Sequence, residues 1–296
     1  MSDKIKKRVV IALGYFDSVH LGHKKVIERA KEEAEKVNAQ TVVFTFKGNL
    51  KAVLGKDGGK VVYTAKEREN FIKALGADEI YFAPVDFNFL SIGRLAFLNM
   101  LNRIYDIVCY VSGADYRFGK FGKGSVEDIK RYAKEKGQSV ITVDTLNFER
   151  GKISTTAIKG FLSDGKIEQA NRLLGRPYSV TGTVFKDRCV GSSIGFPTVN
   201  IKIEKDKHRI KDGVYVGGVI VDGKNYKAII NYGARPTFHL DENLIEAHIV
   251  DFSGDLYGQN ITVNFYAYMR EIKRFSNAEQ LKSQLNEDLL KVKNYD

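Results

Sequence analysis

The chain of 296 residues is too long for one small domain and suits two of ordinary size, with 43% hydrophobic residues to fill both cores. Its 47 Lys+Arg against 36 Asp+Glu leave a formal charge of +11, dispersed without a long basic run or zinc-finger spacing, which points to polyphosphate substrates and away from nucleic acid. No stretch approaches the roughly 18 apolar residues of a membrane span, the N-terminus lacks the apolar region of a secretory signal, and Cys109 and Cys189 cannot form a Cys-x-x-Cys site, so a cytoplasmic protein with reduced thiols and no membrane partner is expected.

The first element is a strand over Arg8 to Leu13, followed by Gly14-Tyr15-Phe16-Asp17-Ser18-Val19-His20-Leu21-Gly22-His23 and a helix that starts near Leu21. A glycine at the strand end lets backbone approach a ligand, and a helix N-terminus offers unpaired N–H groups and a positive dipole end to phosphate. Two imidazoles three apart can donate hydrogen bonds to oxygens that gain charge when a nucleotide α-phosphate is attacked. Taken alone, the segment also reads as a tight turn with two solvated histidines. Gly-x-Phe-Asp ahead of His-x-Gly-His, between a strand and a helix, resembles the signature of class I nucleotidyltransferases.

Further strands are predicted over 41–46, 79–83, 107–111 and 139–143, with amphipathic helices between them. Thr64-Ala65-Lys66-Glu67 and Ser125-Val126-Glu127-Asp128 read as helix N-caps, the second with Asp in the usual Glu or Gln position. This alternation predicts a parallel sheet covered on both faces, with ligands outside the carboxyl ends of its strands.

A helix over Ile167 to Leu174 stops at Gly175-Arg176-Pro177 and marks a boundary. Strands follow at 178–185, 213–221, 226–230, 244–250 and 261–268, with Asp222-Gly223 as a hairpin turn, and imply an antiparallel sandwich or a closed barrel. A last helix is predicted to open with a capping box over Ser276-Asn277-Ala278-Glu279 and to run to about Leu290.

Within this β half, Gly195-Phe196-Pro197-Thr198-Val199-Asn200 is either a Pro-stiffened turn or a metal site. Thr198 and Asn200 are two apart, so an extended segment puts their oxygens on one face, a donor set that suits Mg²⁺. Glu246 is a lone carboxylate on a predicted strand, with Ile245, Ala247 and Ile249 on the opposite face. It is a solvated outward side chain or, on a face that lines a barrel mouth, a base for a substrate hydroxyl. His248 shares its face and reads as structural.

Over nearly its whole length the chain resembles the bifunctional bacterial riboflavin kinase/FMN adenylyltransferase (FAD synthetase) family. The N-terminal half carries Gly14 to His23, Thr45-Phe46, Ser112 to Gly119 and Ile153-Ser154-Thr155-Thr156; the C-terminal half carries Gly195 to Asn200, Gly213-Val214-Tyr215, Gly233 to Phe238, Glu246, Asp255 to Gly258, and Arg270 with Phe275. The resemblance implies a Rossmann-like nucleotidyltransferase domain with a parallel sheet over 1–177. It implies an antiparallel Greek-key β-barrel with a terminal helix, the kinase, over 178–296. Riboflavin would be phosphorylated by ATP to FMN, and FMN adenylylated to FAD with release of pyrophosphate.

The resemblance also implies site residues. In the first domain ATP would meet Gly14, Phe16, Asp17, His20, His23, Ser154, Thr155, Thr156 and Lys159, and the flavin Thr45, Phe46, Asn49, Asp115, Arg117 and Phe118. In the second, ATP would meet Gly182, Lys186, Gly191, Gly195, Pro197 and Thr198, and the flavin Arg270 and Phe275. Thr198 and Asn200 would hold Mg²⁺, Glu246 would be the base, and His20 and His23 would act on the transferred nucleotidyl group. The chain departs from the family pattern at Gly48-Asn49-Leu50, where Pro-His-Pro is usual, at Ala157 and Lys159, where arginines are usual, and at Ser192, also a usual arginine position. Retention of one activity, or a flavin- or nucleotide-binding regulator on a degenerate scaffold, are the other readings. The intact set Thr198, Asn200, Glu246, His20 and His23 favours the enzyme.

Overall fold

A computed structural model describes residues 6–53, 59–148, 151–186, 195–234 and 243–295. By its own packing the chain divides into two units, Met1–Thr155 and Thr156–Asp296.

In the first unit the strands are β1 (Arg8–Leu13), β2 (Gln40–Phe46), β3 (Glu79–Ala83), β4 (Asp106–Gly113), the short pair β5 (Arg117–Phe118) and β6 (Gly124–Ser125), β7 (Ser139–Val143), and a second short pair, β8 (Asn147–Phe148) and β9 (Gly151–Lys152). The helices are α1 (Leu21–Lys36), α2 (Leu50–Val53), α3 (Ala65–Ala74), α4 (Phe87–Leu90), α5 (Arg94–Ile104) and α6 (Val126–Lys136). The five long strands form a sheet in the order β3-β2-β1-β4-β7, parallel throughout.

The apolar run of β1 serves both faces of this sheet. Val9, Ile11 and Leu13 pack with Phe97 and Leu101 of α5 and Ile129 of α6, while Val10 and Ala12 pack with Ile27 and Ala30 of α1 and Ile72 of α3. A strand buried on both sides reads as continuous hydrophobicity, as this one does. Because the chain builds outward from β1 to β3 and then returns to β4 on the other side, the sheet has its topological switch point between β1 and β4, where open α/β sheets bind ligands.

Both predicted caps of this unit form. The Thr64 hydroxyl oxygen accepts from the Glu67 N–H at 3.3 Å, and the Glu67 carboxylate accepts from the Thr64 N–H at 2.8 Å. At α6 the shorter Asp128 side chain still accepts from the Ser125 N–H at 2.9 Å. Removing the first cap with Thr64→Ala is expected to lower the unfolding free energy by about 1 kcal/mol, read as a shifted urea midpoint at unchanged m-value. Cys109 lies in the core, where burial pushes its thiol up to about 11. Cys189 lies outside the described residues.

The second unit begins with α7 (Thr155–Ser163) and α8 (Ile167–Leu174), the latter ended by left-handed Gly175 at φ 69°. Residue 177, the boundary read from sequence, lies just after α8. The physical tie across that point is Asn171, whose amide donates to the Phe265 carbonyl at 2.9 Å and whose oxygen accepts from the Tyr178 N–H at 2.6 Å.

The barrel strands are β10 (Tyr178–Phe185), β11 (Val199–Lys202), β12 (Gly213–Val221), β13 (Lys224–Ala234), β14 (Asn243–Ile249) and β15 (Asn260–Arg270). They close in the order β10-β11-β14-β13-β12-β15, antiparallel at every pair, which resolves the sandwich-or-barrel alternative. β15 crosses back to lie between β12 and β10, giving the Greek-key connectivity. Buried Phe265 meets the rings of Tyr178, Tyr215 and Tyr232 at centroid separations of 5.7, 5.3 and 6.3 Å.

On the barrel's other surface Val214, Val216, Ile229 and Ala267 pack with Leu289 and Val292 of the last helix, α9 (Ala278–Lys293). The cap of α9 is Asn277, not Ser276. The Asn277 carboxamide oxygen accepts from the Gln280 N–H at 2.9 Å, and Gln280 accepts from the Ser276 N–H at 3.2 Å, so Gln280 takes the role read for Glu279.

Candidate active sites

In the first unit a cavity of about 250 Å³ opens at the carboxyl ends of β1, β4 and β7 and is lined by Gly14, His20, His23, Asp115, Ser154 and Thr155, among others. His20 is the N-cap of α1, its Nδ1 accepting from the His23 N–H at 3.2 Å. In the neutral ring the proton is then on Nε2. The two imidazoles stack at a centroid distance of 3.6 Å. Gly22 permits this, since a Cβ there would stand 3.1 Å from the His20 ring. The Phe16 ring lies against Gly14, where a Cβ would meet it at 2.6 Å, and makes a T-shaped contact with His23 at a centroid distance of 5.2 Å.

The predicted residues divide between the site and its supports. Phe16 is buried yet lines the cavity, whereas buried Asp17 accepts from the Val62 N–H at 3.0 Å and shapes the loop from behind. The Ser18 and Thr155 hydroxyls are 2.9 Å apart and tie the β1 loop to the start of α7. Thr156 and Lys159 lie on α7 in the second unit. Lys152 pairs with Asp115 and holds its carboxyl below the usual carboxylate range.

Beside this cavity runs an apolar groove of about 480 Å³ lined by Phe46, Phe89, Phe97, Arg117 and Phe118, with Tyr116 common to both. Of the residues assigned to flavin, Phe46, Arg117 and Phe118 meet here, whereas Asp115 lines the histidine cavity. Asn49 sits just ahead of α2, whose Leu50 borders the groove. Thr45 is fully buried and donates to the Tyr15 carbonyl at 2.7 Å.

That carbonyl is also held by Arg68, which sequence reasoning missed. Its buried guanidinium donates to Tyr15 O at 3.2 Å and to Phe46 O at 2.7 Å, fixing the loops after β1 and β2 together. Arg68 belongs to the charged run Lys66-Glu67-Arg68-Glu69, which has the look of a solvated helix face.

In the second unit the expected face forms. Ile245, Ala247 and Ile249 are buried, and Glu246 points the other way. Thr198 donates to Glu246 Oε1 at 2.9 Å, and Asn200 lies in register opposite Glu246 on the neighbouring strand. A cavity of about 250 Å³ covers this face, bounded by Glu246, Asn231, Arg270 and Phe275 and, across from them, by Leu281 and Leu285 of α9. The carboxylate thus faces a space between barrel and helix. A second cavity, of about 410 Å³, is lined by Pro197, Ala247, Ile249 and the Asp255 to Tyr257 segment. Thr198 borders both cavities.

Around this face several predicted residues act as supports. His248 Nδ1 lies 2.8 Å from the Pro197 carbonyl and steadies the loop ahead of Thr198. Gly195 takes the left-handed φ of 87° that favours glycine. Gly182 lets β11 approach β10, since a Cβ would come within 2.5 Å of Ile201. Lys186 is exposed at the end of β10, and Gly191, Ser192 and residues 235–238 lie outside the described residues. The Arg270 guanidinium is committed to fully buried Asp288 on α9, with Nη2 2.6 Å from the carboxylate, so it secures the cavity wall. Asp288 and Asn231 were not read from sequence; both sit among ordinary polar positions of their elements.

Known proteins match both units in chain order. The FAD synthetase family model matches residues 2–157 and the riboflavin kinase family model matches residues 174–295. The bifunctional riboflavin kinase/FMN adenylyltransferase of Listeria monocytogenes is 35% identical over 282 residues, 94% of this chain and 90% of the relative. That of Bacillus subtilis is 32% identical over 284 residues, again 94% and 90%. A solved Streptococcus pneumoniae structure, described as a macrolide-efflux protein, agrees with TM-score 0.89 at 31% identity, covering 98% of this chain and 95% of that one. Among the described residues here, no helix is long and apolar enough to cross a membrane. With two family models in succession and relatives aligned over nine-tenths of its length, the chain belongs to the bifunctional riboflavin kinase/FMN adenylyltransferase family.

Proposed function

We infer that this chain makes FAD from riboflavin in two ATP-dependent steps, phosphorylating riboflavin to FMN in the barrel unit and adenylylating FMN to FAD in the α/β unit. Family membership supports both activities, and the Thr198–Glu246 hydrogen bond, with Asn200 alongside and a cavity on either side of Thr198, carries the kinase assignment. We place the adenylyltransferase domain at 1–177 and the kinase domain at 178–296, with α7 and α8 as the segment that closes the first.

In the kinase step Glu246 takes the proton of the ribityl 5′-hydroxyl as its oxygen attacks the γ-phosphorus, and ADP leaves. Riboflavin would occupy the cavity beneath α9 and ATP the cavity by Asp255, so that transfer crosses at Thr198. The side-chain oxygens of Thr198 and Asn200 are neutral, hard donors, a set that suits Mg²⁺ when phosphate oxygens complete its shell. Bound there, the ion would screen the phosphate charge. In the second step a phosphate oxygen of FMN attacks the α-phosphorus of ATP and pyrophosphate leaves. His20 and His23 meet the charge on the transferring phosphate, Ser154 and Thr155 line the same cavity, and the apolar groove takes the isoalloxazine ring. A cytoplasmic location suits two steps that consume ATP, and the basic surplus suits substrates rich in phosphate.

Incubating the purified chain with riboflavin and ATP and separating the flavins tests this. FMN and then FAD are expected with Mg²⁺ present. Adding EDTA in excess of the metal should stop FMN formation, and restoring Mg²⁺ should recover it. FMN without FAD, or FAD from added FMN without phosphorylation of riboflavin, would reduce the chain to one activity. FMN formation that persists under EDTA would remove the metal from Thr198 and Asn200.

A further inference from the structure

Asn231 lies on β13 in register with Glu246 on β14, so the row across three adjacent strands runs Asn200, Glu246, Asn231. Directly opposite residues on one face hold their Cβ atoms about 5 Å apart. Asn231 lines the cavity under α9 together with Glu246, and its Oδ1 is buried with no hydrogen-bond partner among the described residues. Its other in-register neighbour is apolar Val214, and of the polar side chains on the same cavity wall Glu246 is held by Thr198 and Arg270 by Asp288. The large majority of buried side-chain polar atoms in folded proteins have a hydrogen-bond partner, so an oxygen left open at a cavity wall is a place for a donor that enters the cavity.

We propose that Asn231 determines specificity in the riboflavin-phosphorylating site, its carboxamide accepting a hydrogen bond from the ribityl hydroxyl next to the one that Glu246 deprotonates. The proposal rests on the kinase assignment above. A polyol presents neighbouring hydroxyls at about the spacing that the Glu246–Asn231 pair can bracket. The two groups divide the work by charge: the carboxylate takes a proton, whereas the neutral carboxamide binds a hydroxyl and leaves it intact. An aspartate at 231 would set two carboxylates side by side and perturb the base.

The test compares riboflavin with 4′-deoxyriboflavin, which lacks the neighbouring hydroxyl, in the full-length wild type and in Asn231→Ala. Wild-type kcat/KM is expected to favour riboflavin by about tenfold, the worth of one such hydrogen bond. The variant should lose that preference by falling on riboflavin, with the deoxy compound unchanged and FAD formation from added FMN intact. A simple loss of structure would lower both substrates alike. Asn231→Ser, which keeps a short acceptor, should recover part of the preference. Equal use of the two compounds by the wild type overturns the proposal even if no variant folds, and so does a tenfold preference retained in Asn231→Ala. Absence of any riboflavin phosphorylation by the wild type would instead strike the kinase assignment itself, and this proposal with it.

Discussion

Replacing Glu246 with Gln is expected to lower riboflavin phosphorylation by about 10²–10⁴-fold, the usual cost of losing a general base, and to leave FAD formation from added FMN at the wild-type rate. Gln keeps the size of the side chain and can still accept from Thr198, whose hydroxyl lies 2.9 Å from the carboxylate in the native protein. What it loses is the capacity to take the proton of the attacking hydroxyl. The selectivity of the effect matters as much as its size. Glu246 lies in the barrel unit, and among the described residues the cavity proposed for adenylylation is lined by side chains up to Thr155, so the effect of a fault at 246 is expected to stay within the kinase step. Initial rates of each step, measured separately by chromatography of the flavins, decide the matter. Near wild-type FMN production would show that Glu246 only orients Thr198.

His23→Ala is expected to slow adenylylation of FMN by about 10²–10³-fold, the effect of removing one preorganised donor to a developing negative charge, with the kinase step unchanged. This position is cleaner than His20. Alanine at 20 would also remove the N-cap of α1, and capping alone is worth about 0.5–2 kcal/mol of stability. Alanine at 23 retains the backbone N–H that His20 accepts, so α1 keeps its start. It does give up the stacking on His20 and the edge contact with Phe16, and a melting curve separates that packing loss from a catalytic one. An unchanged adenylylation rate in a folded variant would make His23 a packing residue.

The fold was legible wherever a single periodicity dominated. The buried strands of the α/β unit and the alternating strand Leu244 to Val250 fall within about a residue or two of their predicted ends. Alternation also placed Glu246 opposite Ile245 and Ala247 without knowledge of the partner strands. Pairing order was not legible, because which strands neighbour one another depends on long-range packing that leaves little local trace. The outward position of the Glu246 cavity and the role of Leu281 and Leu285 in walling it depend on that order. Arg68 and Asp288 escaped for another reason. Each is a charged residue in a polar helical stretch, and its burial is fixed by what it reaches in three dimensions, backbone carbonyls for one and Arg270 for the other. At the end of the chain the cap shifted by one residue because Ser276 and Asn277 are comparable N-caps and Gln280 could serve in place of Glu279.

The closed barrel meets one side of the Glu246 cavity and α9 supplies the other, so the part that must fold and the part that shapes the acceptor pocket are different pieces of the chain. Each barrel strand has two hydrogen-bonded neighbours irrespective of the side chains at 281 and 285. On the proposed assignment of this cavity to riboflavin, variation at these two positions is expected to alter which flavins are accepted while the sheet interior, with its Tyr178, Tyr215, Tyr232 and Phe265 cluster, stays untouched. For an engineer or for natural selection, the terminal helix is the adjustable jaw of a fixed vice, and substrate range can drift there at little cost to the scaffold.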